Sequence, residues 1–121
     1  MGKNDLYRLK SKVWLEKDGV KVFGDGPLDI LARVQRTGSL KGAATEIDMS
    51  YNQAWRLIMA MEKNLGFPLL YRQAGGERGG GSVLTEEGRE LVRRFGDFRR
   101  ELTELQEKLF NRYFDKGSLF K

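Results

Sequence analysis

The 121-residue chain contains no cysteine and no histidine. That excludes disulfides, Cys/His zinc sites and histidine-dependent acid–base chemistry. It has no uninterrupted run of about 18 apolar residues, so no helical membrane span is expected. The N-terminus lacks the apolar core of a secretory signal, which makes the cytoplasm the expected location. Only two prolines occur, Pro27 and Pro68. Each falls where a helix would begin or be prevented from continuing, and neither interrupts one.

The chain is 40% hydrophobic and 32% charged, the make-up of an ordinary soluble globular protein. The net charge of +5 is compatible with a nucleic-acid partner and does not require one. The excess is spread along the chain: 6 basic and 4 acidic residues in 1–27, 7 and 5 in 28–84, and 9 and 8 in 85–121. No segment is a polybasic tail. Carboxylate-only metal sites and Asp/Glu catalysis stay open in principle. Yet the acids lie mostly on helix faces beside Lys and Arg, the pattern of a solvated surface. No convincing carboxylate pair accompanies them, so neither catalysis nor a cofactor or metal is expected.

Alternation from Leu9 to Glu16 predicts a half-buried strand, with Leu9, Ser11, Val13 and Leu15 on one side. Asp18-Gly19 is a hairpin signal because both positions tolerate positive φ, and Val20–Phe23 returns as a second strand. Pro27 suits the first position of a helix carrying the stripe Leu28, Leu31, Ala32 and Val34, closed by Gly38. Ser39 can cap a second, short helix whose inner side is Ala43, Ala44 and Ile47. After a break at Asp48-Met49, Ser50-Tyr51-Asn52-Gln53 forms a capping box that opens a third helix. Ala54, Ile58, Met61 and Leu65 form one face of it, Gly66 ends it, and Pro68 blocks its extension. Leu69–Arg72 and Ser82–Leu84 read as strands around the glycine-rich stretch 74–81. Thr85 caps a last helix, with Glu86 and Glu87 at its positive end.

The expected fold is mainly α with small β hairpins: a winged helix-turn-helix with an N-terminal β-hairpin and a long C-terminal dimerisation helix. All 121 residues form one domain on this reading, with the hairpin at 9–23, the helix-turn-helix at 28–65, the wing at 69–84 and the dimerisation helix at 85–114. In such a unit one helix props a second, and the second lays its N-terminal half in the major groove, where base edges present distinct donor and acceptor patterns. Its reading face must be polar and its back apolar. The third helix meets both requirements, with Asn52, Arg56 and Lys63 nearly opposite the apolar face and Gln53 and Ala60 beside them. Asn52 and Gln53 suit adenine edges; Arg56 suits guanine or a phosphate. Trp55 lies at the boundary and suits either packing or an apolar contact beside the groove. Tyr51 combines a ring suited to packing with a hydroxyl suited to a phosphate.

Gly75-Gly76-Glu77-Arg78-Gly79-Gly80-Gly81 is no P-loop, because it has no Gly-Lys-Ser/Thr ending. It reads either as a loose hairpin tip or as a wing whose glycines let the backbone approach DNA, with Arg72 and Arg78 for phosphates or the minor groove. The expected DNA-contacting set is Ser39, Lys41, Ser50, Tyr51, Asn52, Gln53, Arg56, Arg72, Arg78, Gly79 and Gly80. In the last helix Leu91, Phe95, Phe98, Leu102, Leu105 and Leu109 form a heptad-like seam. A helix of about 28 residues would reach about 42 Å at about 1.5 Å per residue, longer than so small a body covers. The first turns of the helix are expected to cap the core, and the seam on the overhang is expected to pair with a second copy, holding two reading helices about one DNA turn apart.

The segments Thr37–Ile47, Met49–Trp55, Leu65–Leu69 and Leu84–Gly88 resemble the LysR-type winged-helix layout. More narrowly, the chain resembles the DNA-binding domain of ModE-type molybdate-responsive regulators. The features are Ser50-Tyr51-x-x-Ala54-Trp55, the glycine-rich wing running into Val83-Leu84-Thr85, and a hairpin ahead of the first helix. The resemblance covers roughly residues 10–112. It implies a dimeric transcription factor using the third helix and the wing on a palindromic operator. Such regulators often carry a C-terminal molybdate-binding region. The residues after the long helix, ending at Lys121, are too few for one. The expectation is thus a stand-alone form without a bound oxyanion, acting unliganded or signalled by a separate effector protein. The competing reading is a winged helix that docks a partner protein through its long helix without binding DNA.

Overall fold

The computed structural model describes residues 7–72 and 81–114, with the backbone alone at Arg72. The elements run β1 (Trp14–Lys17), β2 (Val20–Gly24), α1 (Asp25–Thr37), α2 (Leu40–Glu46), α3 (Tyr51–Leu65), β3 (Leu70–Arg72), β4 (Ser82–Leu84) and α4 (Glu86–Phe114). The fold is the expected one, mainly α with two small antiparallel hairpins, β1–β2 and β3–β4. Among the described residues no helix is long and apolar enough to cross a membrane.

The first hairpin turns at Asp18 (φ 52°) and Gly19 (φ 80°), as the sequence motif requires. Its first strand is shorter than the alternation suggests, because residues 11–13 bond elsewhere. The Arg99 guanidinium donates to the Ser11 carbonyl, and Val13 exchanges hydrogen bonds with Asp25. Nor is the strand half-buried. All four β1 residues are exposed, a bulge breaks the alternation between Leu15 and Glu16, and Leu9 is exposed too. Only Val13 of the expected face packs against the core; β2 supplies the buried part through Val22 and Phe23.

Helix α1 begins two residues earlier than Pro27 suggests. Gly24, still paired with Trp14, is its N-cap, and Asp25 carries the acidic charge that its first turn favours. Pro27 occupies the third position, where its missing N–H again removes only an orphan donor. The buried stripe is Pro27, Ile30, Leu31 and Val34. Ile30 takes the place expected for Ala32, which is exposed, and Leu28 lies at the margin. Gly38 ends the helix at φ 81°, a left-handed position that glycine reaches without Cβ strain.

The core gathers Phe23, the α1 stripe, Leu40, Ala43 and Ala44 of α2, Ala54, Ile58 and Met61 of α3, and Leu69, Leu70 and Leu84 around the second hairpin. Phe95 of α4 closes it, its ring edge-on to Phe23 with centroids 5.2 Å apart. Thr85 is fully buried at the head of α4. Its hydroxyl accepts from Gly88 N at 2.9 Å and donates to the Pro68 carbonyl at 2.8 Å. Gly88 is needed for closeness: a Cβ there would stand 2.5 Å from the Leu69 carbonyl oxygen.

Candidate nucleic-acid interface

Two short helices and a tight turn build the site. Ser39 caps α2, its hydroxyl accepting from Gly42 N at 2.8 Å. Thr37 stiffens the entry to that cap by donating to the Arg33 carbonyl at 2.7 Å. Asp48, at φ 55°, turns the chain after α2. The box at the head of α3 is closed on both sides: Gln53 N donates to Ser50 Oγ at 3.1 Å, and Ser50 N donates to Gln53 Oε1 at 3.0 Å.

That box starts α3 with a buried back, Ala54, Ile58 and Met61, and an exposed front, Tyr51, Asn52, Gln53 and Arg56. Lys41 on α2 is exposed as well. Trp55 is half-buried against the core and stacks on the exposed Tyr51 ring, with centroids 6.3 Å apart. Of the two readings for Trp55, packing is thus realised, while Tyr51 keeps an outward surface. Gln53 is less free than its exposure suggests. Bidentate contact with adenine needs both its carbonyl and its amide, and the carbonyl is turned back onto Ser50.

A charge clamp joins α1 to α2. Glu46 takes guanidinium bonds from Arg33, at 2.8 Å, and from Arg36, and Arg33 also holds Asp29. Bonding to Arg36 first and Arg33 second holds the Glu46 carboxyl below the ordinary carboxylate value.

The second hairpin pairs Leu70 with Leu84, Tyr71 with Val83 and Arg72 with Ser82. Arg78, Gly79 and Gly80, and the Arg72 side chain, lie outside the described residues. The base of the hairpin is fixed twice. Ser82 N donates to the Gly38 carbonyl at 3.0 Å, at the α1–α2 junction. Glu62, on α3, accepts from Leu69 N at 2.7 Å and from Leu70 N at 3.2 Å. Sequence reasoning missed Glu62. The one available signal was a carboxylate on the half-buried flank of α3, facing backbone N–H groups freed just after Pro68.

The seam on α4 divides. Phe95 is buried within its own chain and Leu91 packs against the core, so the expected seam loses its first two members to the body. Phe98, Leu105 and Leu109 remain about half-exposed, with Leu102 between them.

A short supporting helix, a capped helix with a polar front, and a hairpin fastened beside it define a winged helix-turn-helix. Residues 27–89 match the family described as bacterial regulatory helix-turn-helix protein, lysR family, and the chain belongs to that family. Over 95 residues it is 38% identical to the molybdenum-pterin-binding protein MopB of Rhodobacter capsulatus, covering 78% of this chain and 35% of that protein. It is 32% identical to the molybdenum transport protein ModE of Azotobacter vinelandii, covering 84% of this chain and 39% of the relative. The chain thus spans little more than a third of these relatives, and the resemblance to ModE-type regulators stands over that part. Among solved structures, a CbnR_DBD–DNA complex is similar with a TM-score of 0.51 and 29% identity, covering 71% of this chain and 88% of that one.

Proposed function

We propose that this chain is a sequence-specific DNA-binding transcriptional regulator that acts as a homodimer on a palindromic operator. The carrying observation is the front of α3. Asn52 and Arg56 stand exposed on a helix whose opposite side is locked into the core, and its first turn is fixed by a closed capping box. Rigid presentation of amide and guanidinium groups suits base edges in the major groove. The hairpin beside α3 suits the neighbouring backbone or minor groove. Membership of the lysR helix-turn-helix family supports the same reading. The half-exposed Phe98, Leu105 and Leu109, with the partly buried Leu102 among them, offer the surface for a second copy, and two-fold pairing explains a palindromic site. Its working location is then the cytoplasm, with the DNA.

Selection of bound duplexes from a random pool tests this. The expected result is an enriched inverted repeat whose affinity falls steeply with salt, because phosphate contacts release counterions. A pool that stays random, or binding indifferent to salt, contradicts it and favours the protein-docking alternative.

A further inference from the structure

Halfway along α4 one arginine holds three parts of the chain together. Arg99 Nε donates to Asp25 Oδ1 at 2.8 Å, at the start of α1. Its Nη2 donates to the Ser11 carbonyl and hydroxyl, each at 3.0 Å, and its Nη1 to Thr103 Oγ1 at 3.1 Å. Around it the segments bond one another: Val13 N donates to Asp25 Oδ2 at 3.3 Å, and the Ser11 hydroxyl donates to Gln106 Oε1 at 2.8 Å. The Arg99 side chain is only 17% exposed. Exposed ion pairs on one helix, such as Arg94 with Glu90, contribute little. This guanidinium is different, because it bridges residues 74 and 88 positions away in the sequence.

Its position matters as much as its bonds. Phe95 is the last residue of α4 buried in the core. Beyond it the helix runs to Phe114 and carries the exposed apolar residues Phe98, Leu105 and Leu109. At about 100° per residue, Arg99, Thr103 and Gln106 lie on the flank of that row, so the clamp and the apolar row use different faces. The clamp therefore ties the overhang to the reading body without obstructing pairing. From residue 99 to 114 the helix extends about 22 Å at about 1.5 Å per residue. A tilt of about 10° at the clamp would move its tip by about 4 Å, close to the rise of one base pair at about 3.4 Å.

We infer that Arg99 is a positioning residue for DNA recognition. By fixing α4 to the head of α1 and to the 11–13 segment, it sets the angle between pairing helix and reading helix. It thereby sets the half-site spacing that the dimer accepts. The inference rests on the dimeric DNA-binding reading above and names the residue that controls its geometry.

The test uses the full chain and duplexes carrying two inverted copies of the half-site selected from a random pool, separated by spacers stepped one base pair at a time. The wild type should show one sharp spacing optimum. Arg99→Met and the milder Asp25→Asn should broaden that optimum by about one base pair on each side, while affinity for a duplex with a single half-site stays unchanged. Arg99→Lys, which can keep the Asp25 pair, should restore part of the sharpness. An Asp25→Asn protein that unfolds cooperatively like the wild type but keeps the sharp optimum overturns the inference. So does a loss of single-site affinity as large as the loss on paired sites, which would make the clamp merely structural. A wild type that binds single and paired sites equally overturns the dimeric reading itself, a result separable from failure of the variants.

Discussion

The Glu62 carboxylate accepts from Leu69 N at 2.7 Å, so a side chain of the reading helix holds the backbone at the root of the wing. A second bond, from Leu70 N, makes the contact a fork. Helix and hairpin are thereby set at a fixed offset. Glu62→Ala leaves two partly buried N–H donors without this acceptor. It should lower stability by about 1–3 kcal/mol, read from the shift in urea midpoint. Glu62→Gln, which keeps one carbonyl acceptor, should lose less.

Gly88 gives an opposite kind of test, because adding atoms should harm. Alanine is the better helix former, by about 1 kcal/mol over glycine in a helix interior, and at Gly88, the third residue of α4, it would ordinarily be no worse. Here its Cβ would meet the Leu69 carbonyl at 2.5 Å. Gly88→Ala should therefore destabilise by about 1–3 kcal/mol, as overpacking does. A rise in the thermal midpoint would show that α4 can withdraw from Leu69 at no cost.

The capping box separates folding from recognition. Ser50→Ala removes the hydroxyl that accepts from Gln53 N and should cost about 0.5–2 kcal/mol of stability. Arg56→Ala touches only the exposed front of α3. It should leave the unfolding midpoint where it is and weaken specific binding by about 1–3 kcal/mol. Titrations of the selected duplex, run beside thermal melts, distinguish the two. Equal affinity of Arg56→Ala and wild type for that duplex would place the reading surface elsewhere.

Acid should loosen the α1–α2 clamp. The folded Glu46 carboxyl titrates below its ordinary value near 4.5, through bonding to Arg36 and then Arg33. A depressed carboxylate stabilises the fold at pH above its unfolded value, and that contribution is lost as pH falls through the folded one. Glu90, held down by Arg93 and then Arg94, acts in the same sense. Glu46→Gln should thus lower the melting temperature at pH 7 and make no difference once the pH has fallen below the folded value of Glu46. A difference that persists at the acid end would mean that packing, not charge, carries the effect.

Local signals were the legible part of the fold. The Asp18-Gly19 turn, the Gly38 and Gly66 caps, the Ser50–Gln53 box and the Ala54–Ile58–Met61 face each depend on residues close in sequence, and each took its expected form. Long-range bonds were not legible. Nothing near Ser11 announces that Arg99 will take its carbonyl, so the alternation alone overstates the length of the strand. The division of the α4 seam was legible only in part, for a related reason. A 4–3 spacing shows which side of a helix is apolar, but not where the body beneath it stops, and the body claims Phe95. At the interface, exposure of Asn52 and Arg56 followed from periodicity. The turning back of Gln53 onto Ser50 followed from the same motif that suggested adenine contact, and the two uses compete.

The buried hydroxyl of Thr85 binds the fate of two regions together. One oxygen both starts α4 and fastens the Pro68 carbonyl below the wing, and Thr85 N closes onto the Leu69 carbonyl at 2.9 Å. Neither part can peel away alone without breaking hydrogen bonds made by the buried Thr85. Amide protons at the wing root and in the first turn of α4 should then exchange with solvent at a common rate, as one cooperative unit. A displacement of the first turn of α4 would therefore carry the root of the β3–β4 hairpin with it.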